Sequence, residues 1–169
     1  MAIAALVAFI SLMLAAAVSD IRFYRIPNWL SASVATLFLA AALIFTMPFA
    51  LVGWHLLAGA VVLLVGFCLF AANIIGGGDA KLLAAVALWA GWTELPSLLF
   101  YTAIAGGALA IVMVLWEVVR SHAELTAGAS PSALLKRAIS LRPDLPYGVA
   151  IAFGACAFLP RSWWAAGLL

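Results

Sequence analysis

Two of the chain's six carboxylates stand where an acid is costly and where chemistry becomes possible. Asp79 follows three glycines in Ile75-Gly76-Gly77-Gly78-Asp79-Ala80-Lys81, a run between two long apolar segments. Asp20 closes the first apolar segment, just before Ile21-Arg22-Phe23-Tyr24-Arg25-Ile26-Pro27-Asn28. An ionisable group at the junction of hydrophobic helices costs free energy unless it is paired or used. Two carboxylates held close together do not both ionise readily, so one keeps a proton while the other is charged. The charged one can deprotonate a water, the neutral one can polarise a peptide carbonyl, and the two then exchange roles. Such chemistry hydrolyses a peptide bond with no metal ion and no cofactor, and the titration belongs to the pair.

Each acid also has a plainer reading. Asp79 could cap the helix it begins, and Asp20 could compensate Arg22 or Arg25 at the membrane surface. An acid at a helix C-terminus is poorly matched to the helix dipole, however, so stability alone would not place Asp20 there. Gly76, Gly77 and Gly78 permit close approach of another chain beside Asp79, as an extended peptide would require. Other constellations compete poorly. His55 falls toward the far face and His122 in a polar loop, with no thiol near either. Cys68 and Cys156 lie in apolar runs, form no CxxC pair and read as buried small apolar residues. Two aspartates without further clustered ligands make a poor cage for a divalent cation.

The surrounding elements must be membrane helices. Of 169 residues, 69% are hydrophobic and 8% are charged, with a mean hydropathy of +1.27. A soluble domain carries about 25% charged residues, so a water-facing surface of ordinary size is excluded. No basic cluster with interleaved aromatics points to nucleic acid. The fold class expected is all-α: a polytopic membrane protein with six transmembrane helices, forming one domain over residues 1–169. The segments expected are about Ala2–Val18, Trp29–Met47, Trp54–Ile75, Lys81–Trp92, Pro96–Val119 and Tyr147–Trp164. A span needs roughly 20 apolar residues, and the fourth segment is too short. Its start should therefore lie in a locally wet cavity, with Asp79 at the mouth. Ile26-Pro27-Asn28 should stop one helix and cap the next, and Pro96 suits a first helical turn.

Positive charge follows the first apolar stretch rather than preceding it, which describes a retained helix and not a signal peptide. With the N-terminus outside, segments 19–28, 76–81 and 120–146 face the cytoplasm. They hold seven of the eight basic residues, with Arg161 alone outside, so the positive-inside rule supports this orientation. Asp20 and Asp79 then share one face and one depth. Segment 120–146 reads as a cytoplasmic loop with a short amphipathic helix beginning near Ser130-Pro131.

Three motifs, in order, resemble those of the type IV prepilin peptidases, GxGD-type membrane aspartic proteases with six helices. Gly76-Gly77-Gly78-Asp79-Ala80-Lys81 resembles the family's GxGDxK signature. Asp20 followed by Ile26-Pro27-Asn28 resembles its first aspartate, and Pro146-Tyr147-Gly148 its approach to the last helix. The resemblance implies catalytic roles for Asp20 and Asp79 and backbone shaping by Gly76 and Gly78. It leaves the role of Lys81 open and implies that Pro146, Tyr147 and Gly148 shape the last helix beside the site. The CxxC-bearing methyltransferase region of larger members is missing, so methyl transfer is not expected. The small size resembles the single-function peptidases of Flp/Tad-type pilus systems. The substrate implied is a prepilin or pseudopilin with a short basic leader and a hydrophobic helix. It would be cut at the cytoplasmic border of a bacterial inner membrane, with pilus or secretion machinery nearby.

A rival of another class is a small transporter or proton-conducting subunit with Asp20 and Asp79 as relay acids. Such proteins carry acids deep in helices and often show paired halves, and this chain shows neither. A non-catalytic assembly factor in a secretion complex is a third reading.

Overall fold

In a medium without water, a backbone must satisfy its own polar groups, and long apolar runs do so as helices. The computed structural model describes residues 2–126, 145–162 and 164. Among them every regular element is helical: α1 (Ala2–Phe23), α2 (Asn28–Ile44), α3 (Phe49–Ala71), α4 (Gly77–Thr126) and α5 (Tyr147–Phe158), then a 3-10 turn at Leu159–Arg161. Three stretches are long and apolar enough to cross a membrane: Ile3–Phe23, Phe49–Ala71 and Gly77–His122. Helices α2 and α5 are apolar but shorter, at 17 and 12 residues. The proposed amphipathic helix near Ser130 lies outside the described residues.

Helix α4 departs from the expected segmentation. The sequence suggests a break between Trp92 and Pro96, but the backbone breaks at Gly91, with φ 59° and ψ −173°. That region of backbone space is essentially closed to residues with a side chain. Pro96 lies within the opening turns of the second arm, which runs on past Val119 to Thr126. A helix end leaves its last carbonyls without partners, and side chains take up two of those before the break. The Nδ1–H of His55 donates to the Leu88 carbonyl at 2.6 Å, the only tautomer that a carbonyl partner allows. The indole N–H of Trp164 donates to the Trp89 carbonyl at 2.9 Å. His55 is therefore a buried structural partner of the break, packed beside Phe38.

The core gathers around Trp89. Its ring meets Phe9 at 4.6 Å and Trp164 at 4.9 Å between centroids, and its N–H donates to Val34 at 3.0 Å. Small residues let the helices close on one another. Gly59 and Gly66 of α3 lie against Leu88 and Ala80 of the first α4 arm, while Gly154 of α5 lies against Leu98 and Thr102 of the second. Gly106 meets Tyr147 and Ala150, so α5 and the second arm run antiparallel.

Outward faces are as apolar as the core: Leu14, Leu43, Phe67 and Val112 are all exposed. This reverses the expectation for the cysteines. Cys68 and Cys156 are free and exposed on the helix surfaces rather than buried. Against lipid, an apolar side chain gains nothing from turning inward, so burial no longer sorts residues by polarity.

Candidate active site

Asp20 faces inward because of its place on α1. Phe9, Met13, Ala16 and Asp20 recur at helical spacing and all are buried, so the acid ends the apolar stripe that holds α1 to the core. At the end of α1 the chain turns sharply. Tyr24 adopts φ 50° and its N–H donates to the Asp20 carbonyl at 2.9 Å. The Ser19 hydroxyl donates to the Arg25 carbonyl at 2.8 Å. This turn folds Ile26 back against the site.

Asp20 Oδ2 accepts a 2.6 Å hydrogen bond from the backbone N–H of Gly148, in the first turn of α5. The acid thus lies at the C-terminus of its own helix and at the N-terminus of another, where exposed N–H groups favour negative charge. That arrangement resolves the dipole mismatch noted in the sequence. A Cβ at position 148 would stand 2.9 Å from Asp20 Oδ2 and 2.9 Å from Ile26 Cδ1. Only glycine lets α5 settle so close.

Asp79 is the third residue of α4, and Gly76 immediately precedes the helix. Its carboxylate accepts the Gly76 backbone N–H, as the third helical residue does in a capping box. The capping role proposed as the plainer reading is therefore real, and it also fixes where the carboxylate points. A Cβ at Gly76 would come within 2.7 Å of Asp79 Oδ2. At Gly78 it would meet the Ile26 backbone oxygen at 3.2 Å, and at Gly77 the Phe70 ring at 3.2 Å. Ile26 is wedged between Gly78 and Gly148, a positioning contact the sequence reading missed. Its signal was the two glycines that make room for it.

Asp20 and Asp79 are close enough to interact through their charges. Both line one open cleft of about 760 Å³. Tyr24, Arg25, Pro27, Asn28, Asn73, the three glycines and Tyr147 share its walls. Volumes of this order admit a short peptide segment. Among the described residues no group of three or more metal-ligating side chains occurs.

The motif residues around the acids divide by position. Lys81 Nζ donates to Asn28 Oδ1 at 3.0 Å, tying the N-terminal end of α4 to that of α2. This bond gives Lys81 a partner that its place in the motif did not suggest. Of the run Ile26-Pro27-Asn28, expected to stop one helix and cap the next, Pro27 occupies the cap position of α2 with φ −61° and ψ 140°, and no side chain donates or accepts a capping bond there. Pro146 holds the same position before α5. Tyr147 packs over Gly106. His55 lies at the Gly91 break and His122 near the far end of α4, neither lining the cleft.

Comparison with known proteins gives the class of this apolar, helical chain. The chain belongs to the type IV leader peptidase family, whose model matches residues 7–111. That match includes Asp20, the glycine run and Asp79, and ends before Pro146-Tyr147-Gly148. No curated protein and no solved structure matches the chain.

Proposed function

We propose that this peptidase is an aspartic endopeptidase, with Asp20 and Asp79 as its catalytic pair. The observation that carries the reading is their convergence from separate helices on one cleft. One carboxylate removes a proton from water, the other polarises the scissile carbonyl, and the proton returns to the leaving amine. The backbone N–H groups of Gly148 and Gly76 hold one acid each, so neither carboxylate depends on a mobile side chain for its orientation.

The substrate we infer is a prepilin or pseudopilin, with a basic leader on the cytoplasmic side and a hydrophobic helix in the membrane. We infer six spans with the N-terminus outside, a topology that would set the cleft at the cytoplasmic border of a bacterial inner membrane. In this count the two arms of α4 on either side of Gly91 are separate spans. The basic residues Arg22, Arg25 and Lys81 cluster at the same end of the helices, as the positive-inside rule requires.

The test is purified protein reconstituted with a candidate prepilin, followed by N-terminal sequencing of the product. Leader removal by the wild type, abolished in Asp20→Asn and in Asp79→Asn while both variants stay inserted, supports the reading. Leader removal that survives either substitution refutes it. Proton flux in liposomes lost with the same substitutions, and no cleavage by the wild type, would establish the relay alternative.

A further inference from the structure

Ile26 stands between the two elements that orient the acids. A Cβ added at Gly78 would meet Ile26 Cβ and the Ile26 carbonyl oxygen, both at 3.2 Å. A Cβ added at Gly148 would meet Ile26 Cδ1 at 2.9 Å, beside Asp20 Oδ2 at 2.9 Å. The base of the side chain therefore rests on the first turn of α4, next to Asp79. Its tip rests on the first turn of α5, where the Gly148 N–H holds Asp20. Ile26 is only 8% exposed although it belongs to the cleft wall, so little of it is offered to a substrate.

The mounting of this side chain is stiff. A residue that precedes proline is confined to extended backbone, and Pro27 follows directly. Branching at Cβ restricts χ1. The turn leading to Ile26 is closed by the Tyr24 N–H on the Asp20 carbonyl at 2.9 Å and by the Ser19 hydroxyl on the Arg25 carbonyl at 2.8 Å. Gly78 and Gly148 have no side chains with which to keep their helices apart, so the spacing falls to Ile26. A rigid strut suits the chemistry, because the coupling between two carboxylates varies inversely with their separation.

We propose that Ile26 is a positioning residue of the site: its side chain, braced between Gly78 and Gly148, sets the separation of Asp20 and Asp79. The proposal rests on these acids acting as a pair, as inferred above. Moving two charges about 1 Å further apart, from a few ångströms, weakens their coupling by roughly half a pH unit at an effective dielectric constant of about 20. The two limbs of the pH–rate profile, which report the titration of the pair, then move toward each other. Tyr24, Arg25 and Tyr147 also line the cleft, and Lys81 is held nearby by Asn28. A displaced cation among them would move both limbs in one direction, so a change in width isolates the spacing of the acids.

The test measures kcat against pH for leader cleavage by the full chain in vesicles, comparing the wild type with Ile26→Val and Ile26→Phe at matched amounts of inserted protein. Ile26→Val removes only Cδ1, the atom that meets Gly148, and Ile26→Phe lengthens the strut. Ile26→Phe should narrow the profile by roughly half a pH unit and lower kcat on the order of 100-fold, with KM unchanged. Ile26→Val should lower kcat severalfold with no narrowing. A profile of wild-type width in Ile26→Phe would overturn the proposal and leave Ile26 as core packing. Equal narrowing in both variants would also overturn it, since a loosened site rather than strut length would then be the cause. Where Ile26→Phe fails to insert, Ile26→Met, whose chain is longer by a single atom, takes its place with the same expected outcome. Asp20→Asn in the same assay separates the two readings. Cleavage that survives it refutes the acid pair, whereas cleavage lost with it and a profile indifferent to Ile26 refutes the strut alone.

Discussion

The backbone N–H of Gly148 donates to Asp20 Oδ2 at 2.6 Å, joining residues 128 positions apart in the chain. The bond makes the last helix part of the site, although the family match stops at residue 111. It also explains why an acid tolerates the C-terminal end of α1, since the N-terminus of α5 supplies the compensating dipole.

Gly148→Ala should therefore reduce leader cleavage while leaving insertion intact. Its methyl group would stand 2.9 Å from Asp20 Oδ2 and 3.0 Å from Asp20 Cβ, so either the carboxylate or the helix must move. A displacement of about 1 Å at a reacting group costs on the order of 100-fold in rate. Steady-state kinetics should show the loss mainly in kcat. A change confined to KM would make Gly148 a substrate contact rather than a positioning residue.

The three motif glycines should not be equivalent. At Gly76 a methyl group would meet Asp79 Oδ2 at 2.7 Å, whereas at Gly77 it would meet the edge of the Phe70 ring at 3.2 Å. A ring can shift by a few tenths of an ångström, but a carboxylate held by the Gly76 N–H cannot do so without losing its direction. Gly76→Ala should lose at least tenfold more activity than Gly77→Ala, a difference worth about 1.4 kcal/mol. Parallel cleavage assays at matched expression decide it.

Lys81 and Asn28 should behave as one structural tie. Their 3.0 Å bond is exposed, and exposed polar links contribute little to stability. Lys81→Met and Asn28→Ala should each lower Tm slightly in detergent, and the double variant should lower it no further. Cleavage should persist in all three. Loss of cleavage in Lys81→Met as deep as in Asp79→Asn would place the lysine in the chemistry.

The Gly91 break should be a point of stability. Gly91→Ala forces a side chain into a backbone region that costs about 1–3 kcal/mol, and its methyl group would lie 2.6 Å from the His55 ring. His55→Leu removes the donor to the half-buried Leu88 carbonyl, at about 1 kcal/mol. Both should lower Tm in detergent by clear margins. An unchanged Tm in Gly91→Ala would mean that the helix can straighten at no cost.

The sequence pointed to the helices and to both acids because charge is scarce in an apolar chain, so each carboxylate at a helix end stands out. What it hid was where polar groups find partners. Nothing local distinguishes Gly91 from the other glycines, because its conformation is set by His55 and Trp164, residues brought in from α3 and from beyond α5. The bond between Lys81 and Asn28 was illegible for the same reason: each residue has an adequate local explanation, as anchor or as cap. The expectation that Cys68 and Cys156 are buried applied a soluble-protein rule to a surface solvated by lipid, where both are exposed.

The most direct measurement of the central claim is a comparison of three variants, Asp20→Asn, Asp79→Asn and the double substitution, with residual cleavage of one prepilin quantified for each. Groups that act as a unit are grossly non-additive. The account predicts that either single substitution lowers the rate as far as the double one does. A double variant whose loss is the product of two partial single losses would contradict it, because the two carboxylates would then be acting independently.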